Sequence, residues 1–230
     1  MPSKGGPNII TDGLVFAVDA ADANSYPGSG TTWKDWSGNG NDGTLVNGPT
    51  FDGESIVFDG TNDYADFGTS SNTLITSTLS IESWFKLNTN YSGNWRIIAG
   101  RAETTKETYD LRVSAIYNTI VFLFRDNAGY YQANTGVQTI GEWLHVVGTF
   151  NGDTKEGKVY LNSTLKDTIL SVNPTLNNTS NFFTIGGRYS SSQWRDFINA
   201  DIPLVRVYNR ALSASEITQN YNALKSRFNL

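Results

Sequence analysis

The chain consists of many short, strand-like segments separated by turn-forming residues, and this pattern restricts it to all-β architectures. Apolar and polar residues alternate within the segments; Val159 and Leu161, for example, fall on one face of the same segment. Glycine, asparagine and aspartate separate the segments, as at 126–129 and 151–153. Regularly spaced short strands of this kind predict a sandwich or barrel of about 11 to 14 strands. The predicted strands cover 14–18, 55–59, 78–87, 95–101, 108–114, 118–125, 129–135, 142–150, 156–162, 165–170, 182–187 and 202–208.

Composition excludes several function classes. The 230 residues include 17 basic and 22 acidic side chains, and a net charge of −5 argues against sequence-independent nucleic-acid binding. Cysteine is absent, so neither disulfides nor thiol chemistry are available. The N-terminal segment has no apolar core of a signal peptide, and no run of 18 apolar residues occurs. We therefore expect no signal peptide and no membrane insertion.

One helix is predicted near the C-terminus, over residues 213–225. Ser213 and Glu216 have the spacing of a capping box, in which each side chain bonds the backbone of the other residue. Apolar residues then recur at helical spacing and form one stripe. We expect this helix to pack on an edge of the sandwich, where it would shield an exposed strand.

Six segments resemble one known family in order along the chain. The first and last are 36–45 (WSGNGNDGTL) and 205–217 (VRVYNRALSASEI). The other four are 57–64, 79–85, 142–152 and 159–162. Together they resemble the laminin-G-like, concanavalin-A-like jelly-roll domains. The resemblance implies a two-sheet antiparallel jelly-roll sandwich whose first and last strands are neighbours, with one short C-terminal helix.

The resemblance extends to a subgroup found in bacteriophage structural proteins, through segments 13–33 and 219–228. It implies a single domain over 13–230 and a non-catalytic virion module, such as a capsid decoration, fibre or tail-associated protein. Its expected partners are other virion proteins, further copies of itself, or carbohydrate on the host surface. It would be assembled in the host cytoplasm and exposed on the particle. Carbohydrate-binding domains of secreted enzymes are the alternative.

Catalysis by a polysaccharide-active enzyme, a glycosidase or lyase, is the alternative function of a different class. Glycosidases need two carboxylates that flank the scissile bond, and the family's E-x-D-x-x-E strand is missing from this chain. Glu107 and Asp110 are three residues apart and would point to opposite faces of a strand. His145 is the only histidine and is expected to be structural, on the strand face opposite Leu144 and Val146. The sequence therefore predicts no catalytic residues.

A structural calcium ion is an open expectation that comes from the resemblance. Related domains hold Ca²⁺ between an acid of the first strand, the glycine-rich loop and an acid before the last strand, and hard oxygen ligands suit this ion. Asp19, Asp35 and Asp42 match the first positions. Pro203 stands where relatives have an acid, so Asp201 would have to substitute. No cofactor is otherwise expected.

Aromatic and arginine side chains on the middle strands form the predicted ligand surface. Sugar rings stack on tryptophan and tyrosine, while arginine and amide groups bind hydroxyls. Protein contact is an equally open use, since the same residue types are enriched at protein interfaces; burial in the core is the third. The candidates are Trp95, Tyr109, Arg112, Arg125, Tyr130, Tyr131 and Trp194, with Arg96, Tyr117 and Arg195 beside them.

Residues 1–12 form an extended N-terminal arm in this interpretation. Two prolines and two glycines prevent regular structure there. Such a segment can add to the sheet edge of a neighbour. We expect the arm to be ordered mainly by contact with another chain, with a disordered tail as the alternative.

Overall fold

The computed structural model describes residues 8–91, 93–103, 106–114, 118–179 and 181–230. Within these ranges the chain forms eighteen strands and one α-helix. The strands are β1 Leu14–Asp19, β2 Thr32–Trp33, β3 Gly43–Val46, β4 Thr50–Phe51, β5 Ile56–Asp59, β6 Tyr64–Asp66, β7 Thr78–Leu87, β8 Arg96–Arg101, β9 Tyr109–Val113, β10 Thr119–Asp126, β11 Gly129–Val137, β12 Trp143–Asn151, β13 Glu156–Leu161, β14 Thr164–Leu170, β15 Thr184–Ile185, β16 Arg188–Ser190, β17 Gln193–Arg195 and β18 Asn199–Tyr208. The helix is α1 Ala214–Leu224, and 3₁₀ turns cover Ser71–Thr73 and Lys225–Phe228.

Two antiparallel sheets form the sandwich, and a small hairpin accompanies them. The first sheet has the order β14-β13-β12-β7-β18-β5-β4, with β1 also paired to β18. The second sheet has the order β11-β10-β9-β8-β15-β6-β3-β2. β16 and β17 form the separate hairpin. The predicted antiparallel jelly-roll sandwich with a single C-terminal helix is confirmed.

The core lies between the two sheets and depends on close contact between strands and aromatic rings. A Cβ atom on Gly148 of β12 would lie 2.2 Å from the Phe122 ring, and one on Gly157 of β13 would lie 2.0 Å from Phe124. Both phenylalanines are fully buried on β10. The first sheet therefore carries glycine where rings of the second sheet press against it, which keeps the interior densely packed.

The first and last strands are hydrogen-bonded neighbours, as the resemblance implies. β1 runs antiparallel to β18, with Leu14 opposite Tyr208 and Asp19 opposite Leu204. β18 also pairs with β7 on its other side and with β5. The two ends of the domain thus meet in the middle of the first sheet.

The described part of the N-terminal arm is held by its own chain. The Ile10 amide donates a hydrogen bond to the Asn220 side chain of α1 at 2.8 Å, and the Tyr208 hydroxyl donates to the Ile10 carbonyl at 3.2 Å. Ile10 is therefore tied to its own chain, and the expected contact of the arm with another chain stays a prediction. Residues 1–7 lie outside the described residues.

The C-terminal helix begins and ends close to its predicted limits. Ser213 is its N-cap, and both hydrogen bonds of the capping box with Glu216 are present. Within the described residues, no helix is both long enough and apolar enough to cross a membrane.

The expectation that α1 shields a sandwich edge is wrong. Tyr221 of α1 stacks on Trp84 with ring centroids 5.6 Å apart, and Phe228 stacks on the same indole at 4.3 Å. Trp84 belongs to β7, a central strand, and is fully buried. The helix therefore covers the outer face of the first sheet. On this face β7 presents the apolar Trp84 and the paired Glu82, which the helix and the following turn bury.

The predicted strands coincide with β1, β5, β7 to β15 and β18, but the predicted count of 11 to 14 is too low for the described residues. The missed strands are β2, β3, β4, β6, β16 and β17. Most of these contain only two or three residues and have no room to show a period of two.

Candidate functional site

The outer face of the second sheet receives alternate residues of β9. Asp110 and Arg112 point to this face, whereas Leu111 and Tyr109 point into the core. Tyr109 is fully buried, and its hydroxyl donates to the Thr73 carbonyl at 2.6 Å. Burial raises the pKa of the Tyr109 hydroxyl well above its usual range. The prediction of Tyr109 as a ligand residue is therefore wrong, because its strand parity places it between the sheets.

A network of charged side chains joins the strands on this face. Arg112 makes two hydrogen bonds to Asp110, one of them from Nε to Oδ1 at 2.5 Å. Its Nη2 also lies 3.9 Å from Oε1 of Glu107. Arg125 of β10 reaches Oε2 of the same Glu107 at 3.3 Å. Glu107 thus receives arginines from two neighbouring strands.

The β16–β17 hairpin is tied to the sheet through the same network. Arg188 of β16 lies 2.6 Å from Asp196 and 3.6 Å from Glu107. Its Nη1 atom is buried without a hydrogen-bond partner among the described residues. We call Glu107, Asp110, Arg112, Arg125, Arg188 and Asp196 the arginine network.

The placement of Glu107 and Asp110 corrects a prediction. We expected these carboxylates on opposite faces of a strand, but both approach Arg112. Glu107 precedes β9, so the period of two does not apply to it. Both carboxylates are buried and paired with arginine.

A surface pocket of about 330 Å³ opens beside the hairpin, and we call it the Arg96 pocket. It is lined by Gly60, Asn94, Arg96, Gln193, Trp194, Arg195, Asp196 and Phe197. Arg195 is 43% exposed and lies 3.6 Å from Asp196, which has Arg188 as its closer partner. Arg96 donates to the Trp95 carbonyl at 2.8 Å and lies over the Tyr91 ring. The pocket thus combines two guanidinium groups, an indole and two amide side chains.

Three of the predicted aromatic residues border the network. The half-buried Trp95 ring covers Arg112 at 5.3 Å, and Tyr130 lies 6.0 Å from Arg125. Tyr130 is 59% exposed. Trp194 stacks on Tyr64 at 3.8 Å and lines the Arg96 pocket. Aromatic groups therefore stand at both ends of the arginine network.

Two further predictions on this face differ from the structure. The Tyr131 ring stacks on the buried Phe124, with centroids 5.3 Å apart, and packs against the core. It therefore does not lie on the outer face, and its prediction as a ligand residue is wrong. Arg112 lies on the predicted face, but its side chain is only 3% exposed, so it supports the surface from below. Tyr117 lies outside the described residues.

The proposed calcium ligands do not come together. Asp19 pairs with Arg227 through two contacts of 2.9 Å, and Asp201 pairs with Lys86 at 2.6 Å.

The oxygens of Asp35 accept hydrogen bonds from four N–H groups. Asp42 accepts the Asp35 amide at 2.9 Å. The described residues contain no group of three acidic or histidine side chains placed to share an ion. These residues do not fit the calcium site that the resemblance implies, because each carboxylate is occupied by a cation or by N–H donors.

The outer face of the first sheet carries a polar cluster that the sequence analysis missed. Glu82 is fully buried there and accepts from His145 at 2.9 Å, from Arg206 at 3.2 Å and from Asn220 at 2.8 Å. The Tyr208 hydroxyl donates at 3.3 Å to Oε2, the oxygen that Asn220 also contacts, whereas His145 and Arg206 contact Oε1. We call these five residues the helix-covered cluster, since Asn220 belongs to α1. In the sequence, Glu82 alternates with apolar neighbours, as a solvent-facing strand residue does. Its burial becomes evident only when α1 is placed over it.

Glu82 remains ionised despite its burial. Burial alone would raise its pKa, but the charge of Arg206 and the hydrogen bond from His145 outweigh that effect and hold the pKa at about 2. His145 lies opposite Leu144 and Val146, as predicted. Its Nδ1 atom has no hydrogen-bond partner among the described residues. The cluster is sealed from solvent, so it can stabilise the fold but cannot reach a ligand.

The comparisons with known proteins agree with this architecture. Residues 59–218 match the model of a family described as the concanavalin A-like lectin/glucanases superfamily. No curated protein sequence matches the chain significantly.

Several solved structures share the fold at low sequence identity. Trypanosoma rangeli sialidase in complex with sialic acid superposes with a TM-score of 0.70 at 16% identity, over 97% of this chain and 36% of the sialidase. The binding domain of Paraclostridial mosquitocidal protein 1 gives 0.68 at 16%, over 93% and 52%. Botulinum neurotoxin type C gives 0.70 at 18%, over 94% and 52%. This chain spans about a third of the sialidase and about half of each toxin chain. Since the family model covers most of the sequence, the chain belongs to the concanavalin A-like lectin/glucanases superfamily.

Proposed function

We propose that this chain is a non-catalytic carbohydrate-binding module whose ligand lies on the outer face of the second sheet, between Tyr130 and the Arg96 pocket. The observation that carries the proposal is the arginine network with aromatic rings at both ends. Buried ion pairs hold the exposed groups in place, and such preorganisation reduces the ordering cost of binding. Aromatic rings and polar groups side by side match the two surfaces of a sugar.

The solved structures support a carbohydrate ligand by analogy. The sialidase was determined with sialic acid, and botulinum neurotoxin type C depends on interaction with two ganglioside molecules to enter cells. Fold alone does not fix a function. The analogy adds weight to the proposal because this chain has its own aromatic and arginine groups on an outer sheet face.

A panel of immobilised glycans tests this function with purified protein. We expect binding to at least one glycan, weakened roughly tenfold by Trp95→Ala because stacking on the indole is lost. Leu170→Ala removes a side chain that is 62% exposed on β14 of the other sheet, and it should leave binding unchanged. Absence of binding across the panel, or equal binding by Trp95→Ala, would contradict the proposal.

Polysaccharide cleavage is the second candidate, favoured by one observation: Glu107 and Asp110 both approach Arg112. A glycosidase pairs a protonated acid with a base or nucleophile beside the substrate. Here each carboxylate is buried against arginine, which favours binding over catalysis.

Reducing-sugar release from laminarin, alginate or agarose separates the two candidates. We expect none above the background of a heat-denatured sample. Release that disappears in both Glu107→Gln and Asp110→Asn would establish an enzyme and overturn the non-catalytic function.

A place in a phage particle, with virion proteins or further copies of the chain as partners, is the finer part of the proposal. It is supported by the resemblance of segments 13–33 and 219–228. Neighbouring genes for capsid or tail proteins and recovery of the chain from purified particles are the expected results. Neighbouring genes for polysaccharide utilisation would contradict this placement.

A further inference from the structure

We infer that the Arg96 pocket binds the anionic substituent, a carboxylate or a sulfate, of an acidic sugar. This inference rests on the proposed carbohydrate function and narrows its ligand class. It follows from the unequal number of charges around the pocket and from which of them are already paired.

The arginines near the pocket outnumber the carboxylates among the described residues. Asp110 is taken by Arg112, Glu107 by Arg125 and Asp196 by Arg188, each as its nearest cation. Arg96 and Arg195 remain.

Among the described residues, neither remaining arginine is the nearest cation of a carboxylate. Arg195 has only the longer contact of 3.6 Å to Asp196. Arg96 contacts the Trp95 carbonyl and the Tyr91 ring, and it pairs with no carboxylate in the described part of the chain. Both line the same pocket. The arginine network and the pocket lining together contain five arginines and three carboxylates, on a chain whose net charge is −5.

The geometry suits an anion carried by a sugar. Guanidinium groups bind carboxylate and sulfate oxygens through paired, planar hydrogen bonds, which a neutral hydroxyl cannot match in strength. Trp194 lines the pocket beside them, and Asn94 and Gln193 offer amide groups for hydroxyls. The lining therefore places an indole and two amide groups beside the two guanidinium groups. Because the chain as a whole is acidic, a locally positive pocket would attract an anionic ligand that the surrounding surface repels.

Isothermal titration with three tetrasaccharides tests the inference: an oligogalacturonate for carboxylate, a carrageenan fragment, which has sulfate but no carboxylate, for sulfate, and laminaritetraose as the neutral probe. We expect at least one acidic probe to bind roughly tenfold more tightly than the neutral one at low salt, and the preference to shrink as salt rises. The acidic probe that binds more tightly identifies the preferred anionic group.

The variant Arg96→Gln/Arg195→Gln should remove this preference. Lys34→Gln/Lys166→Gln removes the same charge at exposed positions outside the pocket and should retain it. Circular dichroism confirms that each variant is folded.

The outcomes separate the two proposals. If neutral and acidic probes bind equally, or if the arginine variant keeps its preference, the acidic-sugar inference is wrong while carbohydrate binding stands. If no probe binds and the glycan panel is also negative, the proposed function itself is wrong.

Discussion

The two outer faces of the sandwich both carry arginines paired with buried carboxylates, but the two arrangements are closed differently. In the helix-covered cluster, the Glu82 carboxylate accepts hydrogen bonds from the other four residues, and α1 seals it from solvent. In the arginine network, three carboxylates pair with three arginines, and the adjoining Arg96 pocket adds the guanidinium groups of Arg96 and Arg195. A polar cluster that a helix covers serves the fold, whereas a network that lies beside an open pocket with further arginines is available to a ligand. The predictions below test this distinction.

The largest effect is expected from Glu82→Gln. The substitution leaves Arg206 buried without its counter-charge, which costs about 3–5 kcal/mol of unfolding free energy. Urea denaturation measures it. Glu156→Gln, which breaks an exposed pair with Lys158, is the matched control and should change stability little. A loss below about 1 kcal/mol for Glu82→Gln would mean that this cluster behaves like an ordinary surface pair.

Acid should weaken the same cluster. The pKa of Glu82 is about 2 in the folded protein, below the ordinary glutamate value of about 4.3. Its contribution, of order 3 kcal/mol, is therefore complete above about pH 4.3 and is lost as pH falls through about 2. The pKa of Glu216 is also lowered to about 2, first by its hydrogen bond from Arg210, so it adds to the loss in the same range.

Comparison with Glu82→Gln isolates the first contribution. The stability difference between wild type and this variant should shrink between pH 4.3 and 2. A constant difference over that range would contradict the assigned pKa.

Gly100→Ala should disturb the arginine network by crowding Asp110. The new Cβ would lie 2.4 Å from Cβ of Asp110 and 2.5 Å from its Cα, at a backbone φ of +146°. We expect a loss of roughly 1–3 kcal/mol in denaturation, together with weaker glycan binding. Gly53→Ala has positive φ but open space, so it isolates backbone strain from crowding. Equal losses in the two variants would show that contact with Asp110 is unimportant.

Tyr130→Ala should have the smallest effect on stability, below about 0.5 kcal/mol, because the ring is 59% exposed. Glycan affinity should nevertheless fall roughly three- to tenfold through loss of stacking. Urea denaturation measures the change in stability, and isothermal titration of the same sample measures the change in glycan affinity. A stability loss without a binding loss would reverse the assignment and make Tyr130 a packing residue.

The fold was largely predictable from the sequence, since long strands reveal their period of two and the capping box marks the start of α1. The helix position on the sheet was not predictable in this way. Glu82 and Trp84 occupy the strand face that normally meets solvent, and nothing local shows that Tyr221 and Phe228 return to cover them.

The candidate site was partly predictable. Strand parity could have excluded Tyr109 once Asp110 and Arg112 were placed outward. The role of Arg188 and Asp196 could not be foreseen, because they lie in short strands and turns far from β9 in sequence. The sequence identified residue types that are suited to ligand binding, but only tertiary contacts show which arginines are already paired.

The pairing of β18 with three strands has a consequence for how the chain acquires its structure. β1, β5 and β7 all pair with β18, a strand that is synthesised well after each of them. Such non-local pairing raises contact order, which slows folding. Until residue 208 emerges, β7 has an unpaired edge in the middle of the first sheet. Nascent or prematurely terminated chains would therefore expose this edge to association with one another and need protection during synthesis.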